Sequence, residues 1–417
     1  MGFAQGVSGL NASASNLDVI GNNIANSGTI GFKSGTAQFS DVYAGSRVGL
    51  GTQVAGVSQN FTSGAVQTSS RALDVAIVNG DGFFRLASPG GEVAYSRNGQ
   101  FNMNKEGFIV NSAGLQLTGY PVGANGSVAG GSPAPLQLPT TAMAPNSTQN
   151  IAAQFNLDSR SITPTATPFD ATNSSTYNYA NAVTVYDSLG NSHELSTFFS
   201  KTASNTWDVY ATADGKPLAT GGAMATAVAP ATPTASKLGT LAFDTNGNLS
   251  APLPSTITLA GLDFANGSGP MRFAVNVTGT TQFGNANDVK KLTQDGYTSG
   301  ALTSFAINQD GTVTGKYSNE QAKALGQIVL SSFVNPNGLQ PKGDNVWAET
   351  SASGQPLTGT PGAGTKLGAL TSGALEASNV DLTSELVNLI IAQRTYQANA
   401  QTVKTQDQVM QTLVNMR

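Results

Sequence analysis

The sequence predicts a mainly β protein framed by a helix at each end, with one β domain inserted into another. Two observations place the helices and one places the insertion. Apolar residues recur at alternating four-three spacing in the first and last segments, the seam of a heptad helix, while the chain between them reads as short alternating runs broken by turn dipeptides. Two stretches rich in Pro, Ser, Thr, Ala and Gly, at 123–174 and 217–237, bracket a middle β region.

The N-terminal seam is Phe3, Val7, Leu10, Ala14, Leu17 and Ile24, with Gly21 at the remaining position. Strand-like material follows, punctuated by Asn98-Gly99, Glu106-Gly107, Asn125-Gly126, Asn246-Gly247, Asp310-Gly311 and Asn337-Gly338, each a turn signal. Residues 301–316 form a hairpin candidate, with Leu302, Phe305, Ile307 and Val313 around Asp310-Gly311. In the bracketed middle, over 177–207, Val183, Val185, Leu195, Thr197 and Phe199 alternate like the strands of a separate small domain.

The last element runs from Asp381 to Arg417 without Gly or Pro. Its seam is Leu382, Leu386, Leu389, Tyr396, Ala400, Val403, Met410 and Val414, interrupted by Gln393 and Asp407. Asp381 supplies a side-chain oxygen for the first free N–H groups, and Glu385 lies in the first turn, where negative charge is favourable. Both stripes sit at the chain ends in heptad spacing, which suits them to pairing with each other or with neighbouring copies. The termini are therefore expected to be partly disordered in a monomer and to fold on assembly.

Composition narrows the function. Only 11% of residues are charged, against roughly 25% in an average globular protein, so the surface is one of Gly, Ser, Thr, Asn and Ala suited to protein contacts. Lys plus Arg total 20 against 24 Asp plus Glu, with no basic cluster, which gives no footprint for nucleic acid or an anionic membrane. The absence of Cys excludes disulfides, Cys-ligated zinc and a thiol nucleophile. No run approaches the ~18 apolar residues of a membrane span, and residues before Lys33 lack the basic start and apolar core of a secretory signal. If the protein leaves the cell, the expected route needs no classical signal.

The catalytic inventory is thin. The sole histidine, His193, reads as structural or surface. Gly49-Leu50-Gly51 with Gly56 has the wrong spacing for a dinucleotide loop. Asp244-Thr245-Asn246-Gly247-Asn248 lacks the downstream Glu of a calcium loop and is better explained as a hairpin turn. Asp74, Asp81 and Glu92 are candidate hydrolytic carboxylates only if folding sets a suitable separation. No enzyme, cofactor or metal is expected.

The segment 17–27, which contains Asn22, Asn23, Ile24, Ala25 and Asn26, together with Gly31, Phe32 and Lys33, resembles the N-terminal signature of flagellar rod and hook axial proteins. Residues 377–400 and 404–410 are similar to the matching C-terminal signature. Gly82-Phe83-Phe84, residues 95–101 and residues 114–121 resemble the β domain of the hook branch of that family.

The resemblance implies terminal helices lying innermost around a central channel, with β domains stacked outward. It implies a helical core domain at 1–25 and 376–417, a linking segment at 26–71 and 361–375, an inner β domain at 72–145 and 300–360, and an outer inserted one at 146–299. Phe3, Val7, Leu10, Leu17, Ile24, Leu382, Leu386, Leu389, Tyr396, Val403, Met410 and Val414 are then the expected assembly interface. The implied function is a homopolymeric, curved, hollow hook acting as a universal joint between motor and filament, outside the cell. Its implied partners are rod, hook-cap and hook–filament junction proteins and the flagellar type III export apparatus. A distal rod protein and a secreted adhesive fibre are the alternatives. The linker near Gly28, Gly31 and Gly35 is expected to allow small rotations, and stiffening it with Pro is expected to straighten or block hooks.

Overall fold

The computed structural model describes residues 2–42, 49, 51–123, 126–128, 130–225, 235–252, 255–362 and 366–415. Leu50, Asn125, part of the 217–237 stretch and the last two residues of the expected C-terminal helix lie outside them. Two compact units result. The first holds residues 1–140, 303–316 and 322–417, and the second 141–302 and 317–321.

The first unit contains both helices, α1 (Gly2–Ala25) and α2 (Leu382–Asn415). The start of α2 is fixed by Asp381, whose Oδ1 accepts hydrogen bonds from the amides of Thr383 and Ser384 at 2.9 and 3.3 Å. At the other end of α1, Asn26 Nδ2 donates to the carbonyl oxygen of Asn22 at 2.9 Å and to its Oδ1 at 2.8 Å, alongside the Asn26 amide, which donates to the same carbonyl at 3.1 Å. Four glycines give α1 a weak intrinsic propensity, so packing has to hold it.

The expected linking segment contains a regular element. Strands β1 (Gly35–Asp41) and β2 (Thr52–Gln59) form an antiparallel ladder with a register shift at Gln38/Phe39. The ladder lies along α1: Ser8 Oγ accepts from the Thr52 amide at 3.3 Å near one end, and Asn23 pairs with Gly35 at the other. Strand β3 (Val66–Thr68) then pairs with Ala374–Glu376, and β4 (Val75–Val78) with Ala369–Ser372, so the chain's return path is stitched to its outward path.

The rest of this unit is a mixed-length sheet running through β5 (Phe83–Ala87) and β6 (Val93–Ser96). Phe84, Leu86, Phe101, Leu117, Val313, Ile328 and Leu370 share its core. The expected hairpin around Asp310-Gly311 forms from Leu302–Ile307 and Thr312–Tyr317, closed by the Gly311 amide on the Asn308 carbonyl at 3.0 Å. A second cluster stacks Phe83, Tyr95, Phe333 and Trp347 edge to face.

The second unit is built from a five-stranded sheet and a six-stranded antiparallel sheet. The middle region supplies the meander Tyr179–Tyr186, Ser192–Ala203 and Thr206–Ala213. Ile151, Phe155, Leu195, Phe199, Trp207, Leu241, Leu259 and Phe273, drawn from both sheets, form one core.

Candidate assembly interface

The helices pair antiparallel along a seam of small and polar residues. A Cβ added to Gly6 would lie 2.8 Å from Val403 Cγ2, and one added to Gly9 would lie 2.9 to 3.0 Å from the Asn399 side chain. Asn399 Nδ2 donates to Ser13 Oγ at 3.4 Å, and Asn23 Nδ2 to Glu385 Oε1 at 3.3 Å. Ala12, Ser13, Ile20 and Asn23 of α1 and Ala392 of α2 are buried. The face that α1 turns to α2 is therefore set one residue round from the apolar stripe read in the sequence.

That displacement decides where the expected interface residues lie. Phe3, Leu382, Leu386, Tyr396, Met410 and Val414 are exposed, from 40% for Tyr396 to 71% for Val414. Val7, Leu10, Leu17, Ile24, Leu389 and Val403 are half-buried, Val403 against Gly6. The expected stripes are thus not buried against each other. Val387, Ile390, Ile391 and Val409, which heptad counting missed, widen the exposed apolar face of α2. Along α2 these apolar side chains are left uncovered. A groove of about 640 Å³, bordered by Ser13, Ile20, Asn23, Phe39, Ala392 and Asn399, opens between α1, α2 and the β1–β2 ladder.

The signature residues brace the base of the helix pair. Asn23 behaves as a strand neighbour to Gly35, donating from Nδ2 to its carbonyl oxygen at 2.8 Å and accepting from its amide on Oδ1 at 2.9 Å. Gly31 adopts φ +71°, and a Cβ there would lie 2.7 Å from the Asn98 backbone nitrogen. Its amide donates to the Glu376 carbonyl at 2.8 Å. Ile24 and Phe32 are half-buried and Ala25 is exposed.

Lys33 is buried, with Nζ 2.6 Å from Glu376 Oε1 and 2.8 Å from the Thr62 carbonyl. Arg97 reaches the other carboxylate oxygen of Glu376 at 3.1 Å and lies over the Phe83 ring. Burial pushes the Lys33 ammonium below its ordinary pKa, and the Glu376 carboxylate beside it offsets only part of that. Of the three linker glycines, Gly31 and Gly35 are tied into these contacts: Pro at Gly31 conflicts with its positive φ, and Pro at Gly35 removes the N–H that Asn23 accepts. A Pro at either position would break the brace.

The residues weighed for catalysis have structural surroundings. His193 Nδ1 lies 2.7 Å from Asp214 Oδ2 and Nε2 lies 3.4 Å from Asp187 Oδ2, and the ring stacks on Phe264. Burial raises the Asp187 carboxyl, but hydrogen bonds from Asn191, Asn266 and His193 outweigh it and hold the group below the usual carboxylate range. Asp244 Oδ1 accepts from the Asn246 and Asn248 amides, closing a turn. Asp74 is buried beside Ser69, whereas Asp81 and Glu92 are exposed. Among the described residues no group of three or more His, Cys, Asp or Glu is placed to hold a metal ion.

A helix pair made from the two chain ends, closed by polar contacts and apolar on its outside, defines the class as a self-associating structural subunit. Comparison with known proteins narrows it. The flagella basal body rod protein model matches residues 5–33, the flagellar hook protein FlgE/F/G D1 domain 77–160, the flagellar basal body protein FlaE D2 domain 156–297, and the flagellar basal body rod FlgEFG protein C-terminal model 371–416. The chain is 50% identical to flagellar hook protein FlgE of Salmonella typhimurium and 49% identical to that of Escherichia coli, covering all of both chains in each case. Among solved structures, Helicobacter pylori flagellar hook protein FlgE2 matches with a TM-score of 0.53 at 13% identity, over 75% of this chain and 100% of that one, a likeness of fold. The chain belongs to the flagellar hook protein FlgE family.

Proposed function

We propose that this chain is the structural subunit of a bacterial flagellar hook, polymerising through its terminal helices into a curved hollow tube that transmits torque. The observation that carries this reading is the uncovered apolar face of α2, in a chain half identical over its whole length to hook proteins. The helix pair is the inner core, where Leu382, Leu386, Met410 and Val414 meet neighbouring copies. A surface poor in charge suits a joint that bends on every rotation, because Ser, Thr, Asn and water exchange partners more freely than fixed ion pairs. Rod, hook-cap and hook–filament junction proteins are the proposed neighbours in the flagellum, reached by export through the flagellar type III apparatus without a cleaved signal. End-to-end identity to hook proteins favours the hook over a rod or an adhesive fibre.

Electron microscopy of basal bodies from a strain lacking the gene tests this. Complete rods without hooks, restored to curved hooks by the full-length chain, are expected. Truncated rods would move the assignment to the rod, and normal hooks would refute both.

A further inference from the structure

We infer that Gly9 and Asn399 set the register of the antiparallel helix pair, and so decide which face each helix turns outward. The inference rests on the assembly reading above, since the outward face matters only if it is used. Three atoms of the Asn399 side chain lie within 3.0 Å of the position a Gly9 Cβ would take, so this side chain occupies a notch that exists only because residue 9 is Gly. Its amide then reaches Ser13, one turn further along α1. A second notch at buried Gly6 takes Val403, and Asn23 meets Glu385 at the other end of the seam.

Neighbouring registers fit poorly. Moving α2 by one turn in one direction brings Asp407 to the buried Gly6 notch, where a carboxylate loses its water without a cation. Moving it the other way sets the branched Thr395 against Gly9 and takes Asn399 from Ser13. Apolar side chains tolerate such sliding, whereas a polar residue placed in a seam specifies register. In this chain the polar and small residues hold the helices in place, and larger apolar ones along α2, Leu386 and Ile390 among them, are left free for other copies.

The chain contains no Cys, so engineered pairs report register cleanly. Gly6→Cys/Val403→Cys reports the observed register, since its Cβ atoms fall near the ~3.5–4.5 Å that a disulfide needs. Gly6→Cys/Asp407→Cys reports a one-turn shift. Each is oxidised in isolated hooks or, for variants that form none, in the soluble full-length chain, and intrachain disulfide is measured on denaturing gels.

The observed-register pair is expected to exceed the shifted pair by at least about ten-fold, and Gly9→Leu to lower that ratio about five-fold or more. Because Gly9→Leu alone could simply unfold the pair, Asn399→Ala, which removes the polar side chain without adding bulk, is measured beside it and is expected to lower the ratio at least about two-fold. Equal yields from both pairs in the parent, or a ratio unmoved by Gly9→Leu or by Asn399→Ala, would each overturn the inference. Normal hooks from Gly9→Leu, with the ratio falling as expected, would support the register assignment and count against the assembly reading alone.

Discussion

Lys33 Nζ sits 2.6 Å from Glu376 Oε1 although the two residues are 343 positions apart, and both side chains are buried. This ion pair joins the path leaving α1 to the path entering α2. Glu376 also holds Arg97 at 3.1 Å and accepts from the Gly64 amide at 2.9 Å, so one carboxylate compensates two buried cations. Removing it should be worse than removing either cation. Glu376→Gln is expected to destabilise the chain by about 3–5 kcal/mol, and Lys33→Met by less, because Arg97 remains to pair the carboxylate. Urea unfolding of the full-length chain measures both. Costs no larger than that of the exposed Lys105→Ala control would remove the brace from the account.

Gly31 is required by its backbone and by its neighbours together. Gly31→Ala combines positive φ with a Cβ pressed on the Asn98 backbone, and is expected to lower stability by roughly 1–3 kcal/mol, read as a fall in Tm. Gly28, where an added Cβ meets nothing within 4 Å, serves as the control, and Gly28→Ala should be nearly neutral.

Asn23 ties α1 to the hairpin through Gly35. Asn23→Leu leaves both backbone groups of Gly35 without that partner, a loss of about 1–3 kcal/mol. Hydrogen exchange should quicken at the amides of β1 and β2 while those of Ser192–Ala203 keep their protection. Uniform quickening across the chain would instead indicate global destabilisation.

How much of this was legible beforehand depended on the type of signal. The two helices were readable because a heptad stripe survives in a single sequence, and the Asp381 cap because its residues are local. The face α1 presents to α2 was not, since Gly6, Gly9, Ser13 and Asn399 act through close approach and hydrogen bonding, which an apolar period does not register. The β1–β2 ladder passed for a linker because its alternation breaks at the Gln38/Phe39 shift. The Lys33–Glu376 pair left no local trace, although Lys33 itself belonged to a recognisable motif.

Acid should loosen the second unit through Asp187. Its carboxyl titrates below the ordinary range in the fold, so the stabilisation is complete above the unfolded pKa of ~3.9 and is lost as pH falls through the lower folded value. With Trp347→Phe leaving the buried Trp207 as sole indole reporter, stability below about pH 4 should fall more steeply in the parent than in Asp187→Asn. Equal slopes would show that Asp187 does not carry the dependence.

On the proposed reading, the apolar side chains along α2 are kept for other copies of the chain. Leu386 and Ile390 are 44% and 51% exposed, so replacing both with Ser leaves the cores of the two units untouched. The most direct measurement is electron microscopy of hooks from cells making only Leu386→Ser/Ile390→Ser, alongside thermal unfolding of the purified chain. A subunit with the parent's Tm and few or no hooks is expected, whereas hooks of normal number and curvature would contradict assembly through α2.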